Sequence, residues 1–193
     1  MMFHAFSGCD SCSAFFRQTK STMLKTWRSF EKSKELSDAF RDLSFCPSLE
    51  LVEKHLPLIE SYLCHTYGSK QIIELDRFRF DRFRFSTSDD LRELPPCSDA
   101  LREHLKRAAY QAGWLWGNAL EQQACPPVDH WGWLIDDNKL FIKWKTLDCG
   151  QELTKAIGIC SCRTNRCLSC SCATRKVKCL IFCKCKRSCT NPY

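Results

Sequence analysis

The chain has 193 residues, with twenty-nine Lys+Arg against twenty-two Asp+Glu, a formal net charge of +7, 44% hydrophobic and 12% aromatic residues, and sixteen cysteines. That balance suits one ordinary core plus a small appendage rather than a disordered chain. No run of eighteen apolar residues is present to span a membrane, and a start broken by His4 and Asp10, without a basic n-region, makes a poor signal peptide. Seven cysteines (Cys9, Cys12, Cys46, Cys64, Cys97, Cys125, Cys149) are scattered without a framework, which suits a reducing compartment, nuclear or cytosolic.

The N-terminal 31 residues pair HAFSGCDSCSAFF with a basic stretch in which Met23, Leu24, Trp27 and Phe30 make a helical apolar stripe. Cys9-x-x-Cys12 offers a redox or zinc half-site, although no second pair lies near it. Leu36, Ala39, Phe40 and Leu43 mark one face of a short helix ending before Pro47. A second helix is predicted from Ser48, with Glu50 and Glu53 in its first turn and Leu49, Val52, Leu56, Ile59 and Leu63 as its buried stripe. Pro57 should kink it, and Gly68 follows its end. His55 and His65 have no evident ligand geometry.

Residues 76–85, DRFRFDRFRF, are a perfect five-residue duplication. The alternation fits a β-strand with one apolar face, a surface of stacking rings and cations, or a tolerated linker, and the linker reading is preferred. After a hinge at Ser86 to Pro96, a helix is predicted from Ser98 to Trp116. Its apolar face is Leu101, Leu105, Ala108, Ala112 and Leu115, and Arg102, Lys106 and Arg107 are assigned to solvated faces. Trp131, Trp133 and Trp144 flank a hairpin turning at Asp136 to Asn138, and are read as a small aromatic core.

The last thirty-four residues differ from everything before them. They hold nine cysteines, Cys160, Cys162, Cys167, Cys170, Cys172, Cys179, Cys183, Cys185 and Cys189, with three C-x-C spacings and no histidine or acidic residue. Eight basic residues are interleaved: Arg163, Arg166, Arg175, Lys176, Lys178, Lys184, Lys186 and Arg187. The preceding residues balance twenty-one Lys+Arg against twenty-two Asp+Glu, so the whole positive charge lives here. A segment so poor in large apolar residues needs staples. Nine thiols leave one over from disulfide pairing, and the two cysteines of a C-x-C bridge each other poorly. A C-x-C turn instead lets both thiolates face a common metal. Three tetrahedral zinc sites need twelve ligands, which nine thiolates supply if three of them bridge. Three Zn²⁺ with nine thiolates carry about −3, so the unit stays basic and suits a polyanion, DNA first and RNA second.

CSCRTNRCLSCSCATRKVKCLIFCKCKRSCTNPY resembles one copy of the tesmin/TSO1-like CXC domain, or CRC motif, down to the Asn191 that follows the last cysteine. The resemblance implies that the nine cysteines ligate three zinc ions and that the module binds DNA. Tandem members have a tyrosine before the second C-x-C that enters the minor groove, whereas Ser169 stands here, so that contact does not carry over. A metallothionein-like buffer, a disulfide-rich secreted module and a zinc module for protein contacts remain alternatives.

Two further stretches are similar to mobile-element proteins. His4 to Asp10 followed by Ser13 to Phe16 resembles a segment beside PIN-like/flap-nuclease domains, in which a Gly-x-Asp leads into a helix-turn-helix on the DNA backbone. Asp10 would be its metal-holding carboxylate, while Arg17, Gln18 and Thr19 replace the glycines of the next turn. The family's other carboxylates lie upstream of this motif, and one carboxylate does not position two metals, so a nuclease remnant without catalysis is expected. The Trp131-Gly132-Trp133 unit before a cysteine cluster is the second similarity.

The reading is therefore a mainly α N-terminal region, a short Trp-rich hairpin and a small irregular zinc-stapled module. Its divisions are 1–75 as the nuclease-like helical part, 76–96 as linker, 97–150 as helix plus hairpin, and 155–193 as the CXC module. DNA is the expected partner, with RNA as second choice and neither a membrane nor a small-molecule substrate.

Overall fold

The computed structural model describes residues 1–69, 74–85, 90–120, 124–146, 160, 170–176, 179–180, 183, 185 and 189–191. They fall into two compact units, Met1–Thr146 and Leu147–Tyr193. The first is mainly helical and closes with a two-stranded antiparallel hairpin. No described helix is long and apolar enough to cross a membrane.

The first unit is built around its own N-terminus. Helix α1, Met2–Phe6, buries Met2, Ala5 and Phe6. The Phe6 ring sits among Phe15, Phe40, Tyr62 and His104, with centroids 5.2, 5.3, 6.4 and 5.5 Å away. Such tilted and edge-on aromatic contacts contribute beyond the area they bury. Helix α2, Lys20–Ser29, starts at Thr19, whose side chain accepts from the Thr22 N–H. Met23 and Phe30 of its stripe are buried, whereas Leu24 is exposed.

Helix α3, Ser33–Phe45, buries Leu36, Ala39, Phe40 and Leu43, as its spacing requires. Helix α4, Leu49–Thr66, is capped by Ser48 and buries Val52, Leu56, Ile59 and Leu63, leaving Leu49 on the rim. It runs through Pro57 to Thr66 as one element. An interior proline costs a helix about 3 kcal/mol. Packing against α2 and α3 offsets that cost, helped by the buried bond from Tyr62 Oη to the Met23 carbonyl at 2.7 Å.

The duplicated stretch is neither strand nor linker. Residues Leu75–Phe85 form helix α5, with Leu75 buried and an Arg77–Asp81 ion pair one turn apart at 3.1 Å. Arg79 donates to the Pro95 carbonyl and Arg82 to that of Tyr67. A lone strand has no partner for its backbone groups, while a helix satisfies them internally.

Helix α6, Ser98–Ala109, begins where predicted, and Asp76 of α5 accepts from the Ser98 N–H at 2.8 Å. It passes into a π-helical turn, Tyr110–Trp116, marked by the Gly117 N–H donating to the Ala112 carbonyl at 3.1 Å. The wider turn shifts the phase of the apolar stripe. Tyr110, Gln111 and Ala112 are buried, and Leu115 is exposed instead of joining the face assigned to it.

Arg107 also departs from expectation. It is buried, not solvated, and its Nη1 donates to the carbonyls of Gly132 at 2.9 Å and Lys143 at 2.7 Å. Those carbonyls bracket the hairpin of β1, Trp133–Asp136, and β2, Lys139–Ile142. The register pairs Trp133 with Ile142 and Asp136 with Lys139. Asp137 and Asn138 turn it with φ of 46° and 57°, the two-residue geometry that matches strand twist. Trp131 and Trp133 pack on Tyr110 at 5.8 and 5.5 Å, forming the small aromatic core, while Trp144 is exposed.

Candidate metal centre

The second unit is organised by sulfur. Cys160, Cys170, Cys172, Cys179, Cys183 and Cys185 are buried together with Ala173, and Leu180 and Cys189 pack against them. A short helix α7, Ser171–Thr174, presents two of these thiols. Its N-cap is Cys170, whose Sγ accepts from the Ala173 N–H at 3.4 Å while its carbonyl accepts from Thr174 N at 2.9 Å and Thr174 Oγ1 at 3.0 Å. Lys176, in the turn that follows, is in the left-handed region, φ 56°.

Sulfur atoms converge in two groups. Those of Cys160, Cys172, Cys179 and Cys183 all lie within 4.8 Å of one another. Within that group, Cys160 and Cys179 are 3.9 Å apart and Cys172 and Cys183 are 3.7 Å apart. A tetrahedron of thiolates about 2.3 Å from a central zinc has edges of roughly 3.8 Å. Cys179, Cys185 and Cys189 make a second group on the same criterion, so Cys179 belongs to both. The Cys160–Cys179 and Cys172–Cys183 separations match that edge, and these cysteines could hold a metal ion.

N–H donors surround the sulfurs. The Leu180 N–H donates to Cys183 Sγ at 3.3 Å, and Asn191 Nδ2 donates to Cys179 Sγ, the shared sulfur, at 3.4 Å. Such outer contacts orient thiolates and spread their charge. Burial drives the Cys172 thiol up to about 12, reinforced by the neighbouring Cys183 and Cys160 thiols. Burial likewise raises Cys179, against the pull of Asn191. Burial also opposes ionisation at Cys183, but backbone N–H groups and the Cys172 and Cys160 thiols outweigh it and hold that thiol below its ordinary value. Sulfurs this close resist ionising together, and a divalent cation reverses that resistance.

Seven of the nine predicted ligands are placed. Cys162 and Cys167 lie outside the described residues. Six of the seven enter the two groups, and Cys170 enters neither. Among the described residues Cys183 and Cys185 fall in different groups, which share Cys179. Of the eight basic residues, Arg175 and Lys176 are exposed on the turn after α7, and Arg163, Arg166, Lys178, Lys184, Lys186 and Arg187 lie outside the described residues.

At the other end of the chain Asp10 is exposed, in a two-residue turn, and belongs to no group of three potential ligands among the described residues. Arg17 adopts a left-handed φ of 58°, pairs with Glu93 and stacks on Phe16. Comparison with family models, curated proteins and solved structures found no match.

Proposed function

We propose that the C-terminal unit is a single CXC-type module in which all nine cysteines hold three zinc ions, and that it binds DNA through the interleaved basic residues. The convergence of Cys160, Cys172, Cys179 and Cys183 within 4.8 Å carries this reading. Cys179, common to both groups, supports the bridging that a nine-ligand, three-ion count requires. Zinc supplies the cross-links that a hydrophobic core cannot supply in so short a segment. Three zinc ions leave the nine thiolates with about −3 against eight cations, so the compact unit stays basic, a footprint suited to a phosphate backbone.

This reading places the protein in the nucleus and among mobile-element-derived proteins, with the Asp10 region as a non-catalytic nuclease remnant. The test is fluorescence anisotropy of the zinc-loaded full chain with a DNA duplex across a salt series. Binding should weaken linearly on a log–log scale, by about 0.9 in slope per phosphate contact. Arg175→Ala with Lys176→Ala should remove up to about 1.8 of that slope. Chelation should abolish binding. A zinc-loaded chain that binds neither DNA nor RNA at low salt would leave a zinc-stabilised protein-interaction module instead.

A further inference from the structure

The loop between α1 and α2 carries two cysteines that the metal centre does not use. Cys9 and Cys12 face each other across the Asp10–Ser11 turn, Cys9 N–H donating to the Cys12 carbonyl at 3.0 Å and Cys12 N–H to that of Cys9 at 3.2 Å. A doubly hydrogen-bonded antiparallel pair sets its Cα atoms about 5.5 Å apart with both side chains on one face. That separation lies within the range a disulfide spans. One hydroxyl reaches both sulfurs, since Ser11 Oγ is 3.4 Å from Cys9 Sγ and 4.0 Å from Cys12 Sγ. The same hydroxyl is 2.5 Å from Gln111 Oε1, which ties the turn to the π-helical segment.

The two thiols are unequal. Cys12 is 4% exposed, whereas Cys9 is half-buried at an open concavity lined by Gly8, Asp10, Ser13, Ala14 and Ile142. Burial pushes the Cys12 thiol up to about 12. Burial acts in the same direction on Cys9, but hydrogen bonds from Ser11 and Cys12 outweigh it and hold that thiol below its ordinary value. A reachable sulfur beside a buried partner on the same face of one turn is the arrangement of an attacking and a resolving thiol.

We infer that Cys9 and Cys12 form a reversible dithiol–disulfide couple that exchanges with small disulfides of the glutathione class. The Cys9 thiolate attacks one sulfur of the oxidised small disulfide, forming a mixed disulfide and expelling one small thiolate. Cys12 then gives its proton to solvent and attacks the Cys9 sulfur, expelling the second small thiolate. Two protein thiols lose two electrons, and one small disulfide becomes two small thiols. Paired Cβ atoms stand about 4.5–5.5 Å apart, while a disulfide brings them to about 3.8 Å, so closure strains the turn and the bond reduces readily. This makes it a switch rather than a staple.

Trypsin reads the couple cleanly, because the peptide Met1–Arg17 contains these two cysteines and no others. The full chain, equilibrated in glutathione buffers of rising oxidised fraction, is alkylated and digested. In oxidising buffer that peptide should lose two hydrogens and escape alkylation, and reduced glutathione should reverse both changes. Cys12→Ser should accumulate one glutathione on Cys9, and Cys9→Ser should leave Cys12 unmodified. Equal glutathione adducts at both positions, or independent alkylation of both at every ratio, would overturn the assignment, as would protection of the pair by added zinc. The readout is confined to the first peptide, so it succeeds or fails independently of metal or DNA binding by the C-terminal unit.

Discussion

Replacing Gly132 by alanine tests how the hairpin is seated on α6. Gly132 has φ +87°, and a Cβ there would stand 2.5 Å from the Glu103 carbonyl oxygen and 2.9 Å from Arg107 Cγ. The left-handed backbone costs an L-residue roughly 1–2 kcal/mol. Relieving the clash requires the strand to lift by nearly an ångström, which lengthens the two Arg107 bonds to the Gly132 and Lys143 carbonyls. Weakened charge-assisted hydrogen bonds add about 1–2 kcal/mol, for a total near 3 kcal/mol. At about 2–4 °C per kcal/mol for a domain of this size, Tm should fall by roughly 6–12 °C. Gly68 supplies the control, since its φ of +92° is equally left-handed but a Cβ there meets nothing within 4 Å. Gly68→Ala should therefore show only the backbone cost. Near-UV circular dichroism of the buried tryptophans would follow both melts. Equal losses for the two variants, or none for Gly132→Ala, would refute the seating argument.

Phe6→Ala should cost about 3–5 kcal/mol in urea unfolding, because the ring is fully buried between four aromatic neighbours. Stability of the first unit should fall as pH drops from about 6.5 to 4. Burial lowers His104 to about 4, with Nε2–H donating to the Phe6 carbonyl at 2.8 Å. Since the unfolded chain takes up that proton first, the loss should approach about 3 kcal/mol at the acid end, and urea titrations of His104→Gln should show a much flatter profile. Cys179→Ser should lower metal content in both sulfur groups, whereas Cys172→Ser should disturb the four-sulfur group alone, as counted by native mass spectrometry. Acidification should release bound metal with proton uptake, because buried thiols such as Cys172 hold their protons strongly.

Where a segment's own periodicity decided its packing, the sequence was a good guide. The stripes of α3 and α4 are buried almost residue for residue, and the turn at Asp137–Asn138 follows from side chains that tolerate positive φ. Three misreadings had different physical causes. Arg107 looked solvated because nothing in α6 reveals that the hairpin carbonyls at Gly132 and Lys143 would cover it. The DRFRF repeat alternates like a strand, yet it forms a helix with an i,i+4 ion pair, from which Arg79 and Arg82 reach the Pro95 and Tyr67 carbonyls. Leu115 follows the α-helical stripe by count, and only the π turn rotates it outward. In the second unit the cysteine-rich cluster was legible from spacing. The partition of its sulfurs was not, because Cys160, Cys172, Cys179 and Cys183 converge across up to twenty-three residues and no spacing rule pairs thiols at that distance.

The three-zinc cluster is tested by native mass spectrometry of the full chain expressed with zinc, paired with alkylation of its cysteines. The expected result is a mass increment of three zinc ions, with all nine cysteines from Cys160 to Cys189 protected until a chelator is added. One ion or none, with those thiols freely alkylated, would contradict it.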